Sequence, residues 1–485
     1  METKKSSKIA RRTEPGIGDD DRLSSLPDPV ICHILSFMET KYAVATAVLS
    51  RRWEDLWTRV SSLDFDGRLV YRSLAKPQKL EPASDFVKRD MEFCRFVDKV
   101  LGQHENLNSL RRFRFRFPVD ISYLYKCRMR LSETGFRFRF TWESVFVPPI
   151  EEIDVMVGET ECRIPQCMHC IPQSFYTLKN LKVAKLDGVE LGAINESVFL
   201  PSVKILQLCG VKIENFKSLG RLLSGCPVVE TVHLKNWLHF NYKEKDRIEV
   251  SLPCLKNLKI FCFGYWRYPM HPIVIEAPNL EDLYLEQFAD VQFEESIPLS
   301  CLHSAHVDLY EESPNYVIRL LAQISSAKRM SLSGATLSEL SAVDDIQLPG
   351  FPNLTHLTIG IEEFEGSTSW VVHSLLKSAS KLQSLVIDME NPMSVPTGMG
   401  WESLETACTP HCLLSSLEEI KIKEFVAYPE VKNMMAYLLK VGAVLKKVHM
   451  HVCCALMDET DLMPLLELPR GSSACAVELL TSTLI

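Results

Sequence analysis

Residues 200 to 234 read LPSVKILQLCGVKIENFKSLGRLLSGCPVVETVHL, and this stretch decides the architecture. Leu206 and Leu208 stand two apart, and the same spacing returns 26 residues later as Val232 and Leu234. Apolar residues two apart mark a strand with one buried face. Pro201 and Pro227 each stand five residues before the first apolar member. A proline there stops a helix and favours an extended entry into the strand. Between the strands, Leu222 and Leu223 lie in a segment without alternation, which reads as a helix returning the chain to the next strand.

The unit recurs as L-x-x-L-x-L. Its instances are LRRFRF at Leu110, IEEIDV at Ile150, LKNLKV at Leu178, VKILQL at Val203, VETVHL at Val229, LKNLKI at Leu255 and LEDLYL at Leu280. They continue as SAHVDL at Ser304, AKRMSL at Ala327, LTHLTI at Leu354, LQSLVI at Leu382, LEEIKI at Leu417 and LKKVHM at Leu445. The middle apolar position falls at 113, 153, 181, 206, 232, 258, 283, 307, 330, 357, 385, 420 and 448. From 153 to 385 the steps run from 23 to 28 residues, inside the leucine-rich-repeat period of about 20 to 29. Prolines in the same register recur at Pro148, Pro253, Pro278 and Pro352, and leucine pairs at Leu320/Leu321, Leu375/Leu376 and Leu438/Leu439.

The expected fold is therefore an α/β solenoid, a curved parallel sheet with helical returns and a core shared between neighbouring units. Thirteen strands at about 4.8 Å each would run roughly 60 Å. Insertions are expected at Pro118 to Val147 and Asn391 to Leu414, where the step lengthens. Long loops on a rigid scaffold are favoured places for specificity.

If the apolar positions point inward, the residues between and after them face the open side of the sheet. Lys235, Phe261, Tyr284, Glu286, Asp308 and Tyr310 are the expected substrate contacts, within a wider set of Gln207, His233, Lys259, Thr358, Asp388, Lys421, Lys423 and His449. This mixture of aromatics and both charge signs suits a protein or peptide better than a uniform polyanion. Most of the wider set is expected to be solvated, because few contacts carry most of the binding energy.

The chain has 485 residues, 54 Lys+Arg against 62 Asp+Glu, and a net charge of −8. That balance argues against a nucleic-acid binder acting through its whole surface. A local exception is RRFRFRF at Arg111 to Phe117, followed by FRFRF at Phe136 to Phe140. Alternation puts Arg112, Arg114 and Arg116 on one face and Phe113, Phe115 and Phe117 on the other. The stretch Arg111 to Arg139 could serve a phosphorylated ligand or RNA, or be an ordinary strand with solvated arginines.

The first twenty residues have no apolar stretch resembling a secretory signal, and MMAYLLKVGAVL at Met434 is interrupted by Lys440. The protein is therefore expected to be soluble and intracellular, without a membrane partner. Its cysteines are read as reduced thiols. Cys162, Cys167, His169 and Cys170 lack the second half of a zinc site, and His449, His451 and Cys453 read as one face of a strand, so no metal or cofactor is expected. No G-x-S-x-G, G-x-x-x-x-G-K, H-E-x-x-H or G-x-G-x-x-G occurs, and nothing calls for an active site.

Residues 21 to 66 follow a different pattern. Pro27 and Pro29 open an apolar-periodic helix with Val30, Ile31, Ile34, Leu35 and Phe37. Ala43 to Val48 form a second helical pattern, and Trp53, Leu56 and Trp57 a third. So small a three-helix unit is stable only when docked on something. The run L-P-D at Leu26, I-L-S-F at Ile34, T-K at Thr40, V-L-S-R-R-W at Val48, L-W at Leu56 and L-D-F-D at Leu63 resembles the F-box of plant F-box/FBD/leucine-rich-repeat proteins. Glu39 departs from the proline common before Thr-Lys. The repeats around LPSVKILQLCGV resemble those that follow such F-boxes. The stretch from Trp401 through HCLLSSLEEIKIKEF to ELPRGSSACAVELL is similar to the FBD region, with FVAYPEV at Phe425 in place of its aromatic-glycine segment.

The resemblance implies a tail at 1–20, an F-box at 21–66, leucine-rich repeats at 107–400 and an FBD-like region at 401–480. It also implies a non-catalytic substrate receptor of a Skp-cullin-F-box ubiquitin ligase, located in the nucleus and/or cytoplasm. The F-box would dock a Skp-type adaptor, and through it a cullin, by Leu26, Pro27, Ile31, Ile34, Leu35, Leu49 and Ser50, with Trp53 and Leu56 filling its core. The repeats would hold an unknown protein substrate. The alternatives are an adaptor-independent leucine-rich-repeat scaffold, or a phosphate- or RNA-binding module using the basic stretch Arg111 to Arg139.

Overall fold

The computed structural model describes residues 25–67, 83–117, 145–147, 149–157, 169–192, 198–235, 238–239, 248–261, 273–286, 291–294, 298–310, 313–343, 346–362, 366–391, 408–426, 428–452 and 466–481, with Leu23, Ile194, Trp401 and Leu404. Among them, fifteen strands form one parallel sheet in chain order. They are β1 (Ser62–Asp66), β2 (Arg112–Phe117), β3 (Glu152–Val157), β4 (Val183–Asp187), β5 (Ile205–Cys209), β6 (Thr231–Lys235), β7 (Asn257–Phe261) and β8 (Asp282–Glu286). The series ends with β9 (Ser304–Asp308), β10 (Arg329–Leu332), β11 (His356–Ile361), β12 (Ser384–Met389), β13 (Glu419–Phe425), β14 (Lys447–Val452) and β15 (Ala476–Thr481).

The repeat count therefore extends by one strand at each end. LDFD at Leu63 has the same two-residue alternation as the repeats, with Leu63 and Phe65 buried, and it pairs in parallel with β2. The sheet thus begins inside the segment read as F-box. Eleven of the thirteen middle positions lie on one rung; two do not. Ile153 pairs with Ala184, not Leu181, and Leu283 pairs with Ala305, not Val307. In both units alanine stands at the first inward position, and a larger apolar neighbour imitated the motif. Prolines 201, 227, 253, 278 and 352 each lie in the turn before a strand, whereas Pro148 lies outside the described residues.

Returning helices are α1 to α9 in chain order with the N-terminal ones included: α1 (Asp28–Leu35), α2 (Thr40–Ala45), α3 (Ala83–Gln103), α4 (Phe216–Ser224), α5 (Pro314–Gln323), α6 (Gly334–Ser341), α7 (Gly366–Ser378), α8 (His411–Ser415) and α9 (Pro429–Val441). The leucine pairs are buried in α4, α5, α7 and α9. Several middle units instead return through extended pieces. Val189–Glu190, Lys212–Ile213 and Leu238–His239 belong to one small sheet, and Ile248–Ser251, Ile273–Glu276 and Val291–Phe293 form another. Their β-branched residues favour strand over helix. Gly188, between β4 and Val189, has φ +69°, and a Cβ there would lie 1.9 Å from the Val157 carbonyl oxygen.

The N-terminal unit contains two α-helices followed by 3-10 turns at Thr46–Val48, Arg51–Trp53 and Leu56–Arg59, where a third regular helix was expected. Trp53, Leu56 and Trp57 are buried, and with Ile31, Leu35 and Ala43 they belong to the same continuous core as the repeats. Arg52 bonds the Leu26 carbonyl and, at 2.8 Å, the Asp28 carboxylate, which is held below its ordinary pKa by this contact. This clamp explains the pairing of L-P-D with S-R-R-W.

Two further contacts fix the unit to the sheet. The Asp64 N–H donates to Thr40 Oγ1 at 2.7 Å, and the buried His104 ring meets the Val60 carbonyl at 2.9 Å. Phe65 packs edge-on against Phe96 of α3 and Phe113 of β2, each with centroids 6.1 Å apart. The small helical unit is thereby the first layer of the solenoid.

Candidate functional site

Two surfaces stand out, one at each link of the chain. The first is N-terminal. Seven of the twelve large apolar side chains exposed among the described residues lie between Leu23 and Leu49. On α1, Val30 and Ile34, with Phe37 just beyond the helix, follow the i, i+4, i+7 spacing of a single stripe. Phe37 is 71% exposed; beyond α2, Val48 is 88% and Leu49 63% exposed. Exposed apolar side chains concentrated in one short segment in this way point to an interaction site.

Of the expected adaptor contacts, Pro27, Ile34, Leu49 and Ser50 are exposed and Leu26 is half-buried. Ile31 and Leu35 are corrected: they are 0% and 1% exposed and cannot touch a partner. Trp53 and Leu56 behind them fix the rotation of α1, which turns 31 and 35 inward and Val30 and Ile34 outward. Val30, Phe37, Tyr42 and Val48 were the missed exposed residues, and the helical stripe running through Ile34 was the available signal.

The second surface lies on the open face of β6 to β9. Cross-strand register places His233, Lys259, Tyr284 and His306 in one column and Lys235, Phe261, Glu286 and Asp308 in the next. The rings form a strip: His233 to Phe261 5.0 Å, Phe261 to Tyr284 4.6 Å and Tyr284 to His306 4.1 Å between centroids. The last two pairs are stacked. Lys235 Nζ lies 5.9 Å from the Phe261 centroid, and the Tyr284 hydroxyl donates to Glu286 Oε2 at 2.9 Å.

Burial, and then the acceptor Glu286, push the Tyr284 hydroxyl up to about 12. Burial lowers both histidines, with the Lys259 and Lys235 charges adding to the effect at His233, while Asp308 and Glu286 partly oppose it at His306. The strip is thus uncharged at neutral pH, with lysines toward β6–β7 and carboxylates toward β8–β9. Five of the six expected substrate residues share this surface. Tyr310 lies two residues past β9 and is exposed; it entered through the frame set on Val307. The same frame error hid His306.

At the other end of the sheet the arginines of β2 are spoken for. Arg114 reaches Asp64 at 3.1 Å and Asp154 at 3.2 Å, Arg116 reaches Asp154 at 2.9 Å, and Arg112 reaches Glu152 at 2.9 Å. Phe113, Phe115 and Phe117 are buried on the opposite face. These arginines form a cross-strand ion ladder in place of a free basic patch; 118–144, including FRFRF, lies outside the described residues. Cys162, Cys167 and Cys453 also lie outside them. Among the described residues no group of three metal-ligating side chains occurs, and no helix is long and apolar enough to cross a membrane.

Asp187, at the end of β4, is in register with Cys209 and, through it, with Lys235. Burial pushes its carboxyl up to about 7, only partly offset by Lys235, and its Oδ1 has no hydrogen-bond partner. A carboxyl that binds its proton more tightly when folded costs stability as pH rises from about 4 to about 7 and is flat above that. Asp187→Asn is expected to gain about 1–3 kcal/mol at pH 8 and much less at pH 5. Denaturant unfolding at the two pH values checks this; an equal difference at both would contradict the assignment.

Comparison with known proteins identifies the regions that carry these surfaces. Three family models match: "F-box domain" over residues 23–65, "FBD-associated F-box protein At5g56370, LRR repeats" over 149–307, and "FBD" over 405–450. None describes a catalytic family. Among relatives from Arabidopsis thaliana, "Putative F-box/LRR-repeat protein At5g41840" is 30% identical over 76% of this chain and 69% of its own. "FBD-associated F-box protein At4g10400" is 28% identical over 94% of this chain and 98% of its own. "F-box/FBD/LRR-repeat protein At1g13780" is 27% identical over 94% and 97%. An exposed apolar helix stripe locked to a parallel leucine-rich-repeat sheet, with matching F-box, repeat and FBD models, shows that this chain belongs to the plant F-box/FBD/leucine-rich-repeat family.

Proposed function

We propose that the protein is the substrate-recognition subunit of a Skp-cullin-F-box ubiquitin ligase, acting in the nucleus and/or cytoplasm. The observation carrying this reading is the exposed apolar surface of Val30, Ile34, Phe37, Val48 and Leu49 inside an F-box. That surface docks a Skp-type adaptor, with Pro27 and Ser50 beside it and Leu26 at its margin. Ile31 and Leu35 hold α1 in place from within. The open face of β6 to β9, with Lys235, Phe261, Tyr284, Glu286 and Asp308, and with Tyr310 at its edge, holds the protein to be modified.

The receptor needs no chemistry of its own. It raises the effective concentration of a substrate lysine near the ubiquitin-charged enzyme. Geometry matters more than affinity alone, because the F-box is the first layer of the solenoid and not a tethered module. The ring strip lies five to eight strands from β1, roughly 25–40 Å along the sheet. Ion pairing of Arg112, Arg114 and Arg116 withdraws them from a phosphate or RNA site.

The test is light scattering of the purified full chain mixed with a Skp-type adaptor. A stable one-to-one complex that also recruits a cullin is expected. A chain that stays alone at high micromolar concentration of adaptor would favour the independent-scaffold alternative.

A further inference from the structure

The ring strip ends abruptly. Tyr284 has a ring on each side, whereas His306 is stacked on Tyr284 alone. On the next strand its rung partner is Ser331, followed by Thr358. Neither short hydroxyl side chain can reach over an imidazole face. Among the described residues no other ring or cation contacts His306. One inter-strand spacing, about 4.8 Å, therefore separates the outer face of His306 from the next rung. A planar group seated above Ser331 would continue the stack.

Charge selects the kind of planar group. Asp308, two residues along β9, has no ion-pair partner among the described residues. Glu390 lies against the backbone of Gly334 and Gly360, where a Cβ at Gly360 would meet its Oε1 at 2.0 Å. Its Oε2 accepts from the Gly334 N–H at 3.1 Å. Burial first, and then the charges of Glu362, Asp308 and Asp388, hold the Glu390 carboxyl above its ordinary pKa; Asp388 is paired with Lys423 at 2.8 Å, and Glu362 has a partner of its own. The charge left beside the open ring face is thus that of Asp308, with Arg329 exposed on the opposite margin. An aromatic ring would fill the step but leave Asp308 unpaired. A lysine would pair with Asp308 but has no plane to stack. A guanidinium does both, since it stacks on ring faces and forks onto carboxylates.

We propose that the step between His306 and Ser331 receives an arginine side chain of the bound protein, stacked on His306 and paired with Asp308. This inference rests on the reading of the open face as the substrate surface and names the chemistry that the surface selects. Substrates would present an exposed arginine, and lysine would be a poor replacement.

The probe is a fluorescein-labelled Gly-Ser peptide carrying three arginines, compared with its lysine counterpart by anisotropy on the full chain. The arginine peptide is expected to bind about ten-fold tighter, equivalent to about 1.4 kcal/mol. Ser331→Phe, which fills the step, and His306→Ala, which removes the platform, should each bring the arginine peptide to the lysine level. Asp308→Asn should weaken both. Capture of a Skp-type adaptor by the same preparations reports that the variants are folded. Equal binding of the two peptides would overturn the proposal, as would an unchanged preference in Ser331→Phe. No binding of either peptide by a chain that still captures adaptor overturns it too, and leaves the ligase reading intact. Failure of adaptor capture by the unaltered chain strikes the ligase reading itself.

Discussion

Replacing Val48 and Leu49 by glutamate should weaken Skp-type adaptor binding roughly 100- to 1,000-fold while leaving the fold unchanged. Both side chains are mostly exposed, and neither contributes to the core. The substitution therefore removes no packing from the free protein. Under the proposed docking these two would enter a desolvated apolar contact, where a few residues carry most of the energy. Two hot spots of about 2 kcal/mol each convert to that range at about 1.4 kcal/mol per decade. Calorimetric titration gives the affinity, and thermal melting gives the control. Ile31→Ala provides the contrast. A fully buried isoleucine on the inner side of α1 should cost about 2–5 kcal/mol of stability, and any loss of adaptor binding would follow from loss of the F-box fold. Unchanged affinity in the double glutamate variant would remove these residues from the interface.

The joint between the helical unit and the sheet should be the most sensitive place in the core. Phe65 is 1% exposed and sits on β1, between Phe96 of α3 and Phe113 of β2. Phe65→Ala is expected to destabilise the protein by about 3–5 kcal/mol, the range for emptying a buried phenylalanine site. The consequence would reach the proposed function, because the parallel pairing of β1 with β2 fixes the exposed apolar surface relative to the ring strip. Urea unfolding monitored by tryptophan fluorescence reports on this site in part, since Trp53 and Trp57, two of the seven tryptophans, lie in the helical unit. A separate early transition of the tryptophan signal is expected in the variant. A cost under 1 kcal/mol would mean that the helical unit is held to the solenoid by other contacts.

The solenoid was legible because its information is periodic. A missed frame at Ala184 or Ala305 leaves the other rungs in place. Those two errors have a shared cause: alanine is small enough to be read as a non-core residue, while Leu181 and Val307 beside it are larger and also buried. One of them exchanged His306 for Tyr310 on the open face of the sheet. The helical unit was legible as a motif but not as a surface. Residue types and order identify α1, yet whether Ile31 or Val30 faces inward depends on where Trp53 and Leu56 pack. The arginines of β2 show the same limit. Their face was predicted correctly from alternation, but the ion partners Asp64 and Asp154 lie 50 and 40 residues away in sequence and come alongside only through strand register. Long-range pairing turned an apparent basic patch into a neutral ladder.

Hydrogen–deuterium exchange of the full chain, alone and with a Skp-type adaptor, tests the central claim most directly. Slowed exchange confined to residues 27–50, with the strands of the sheet unchanged, is the predicted result. A stable complex that instead protects β6 to β9 and leaves 27–50 unaffected would contradict it.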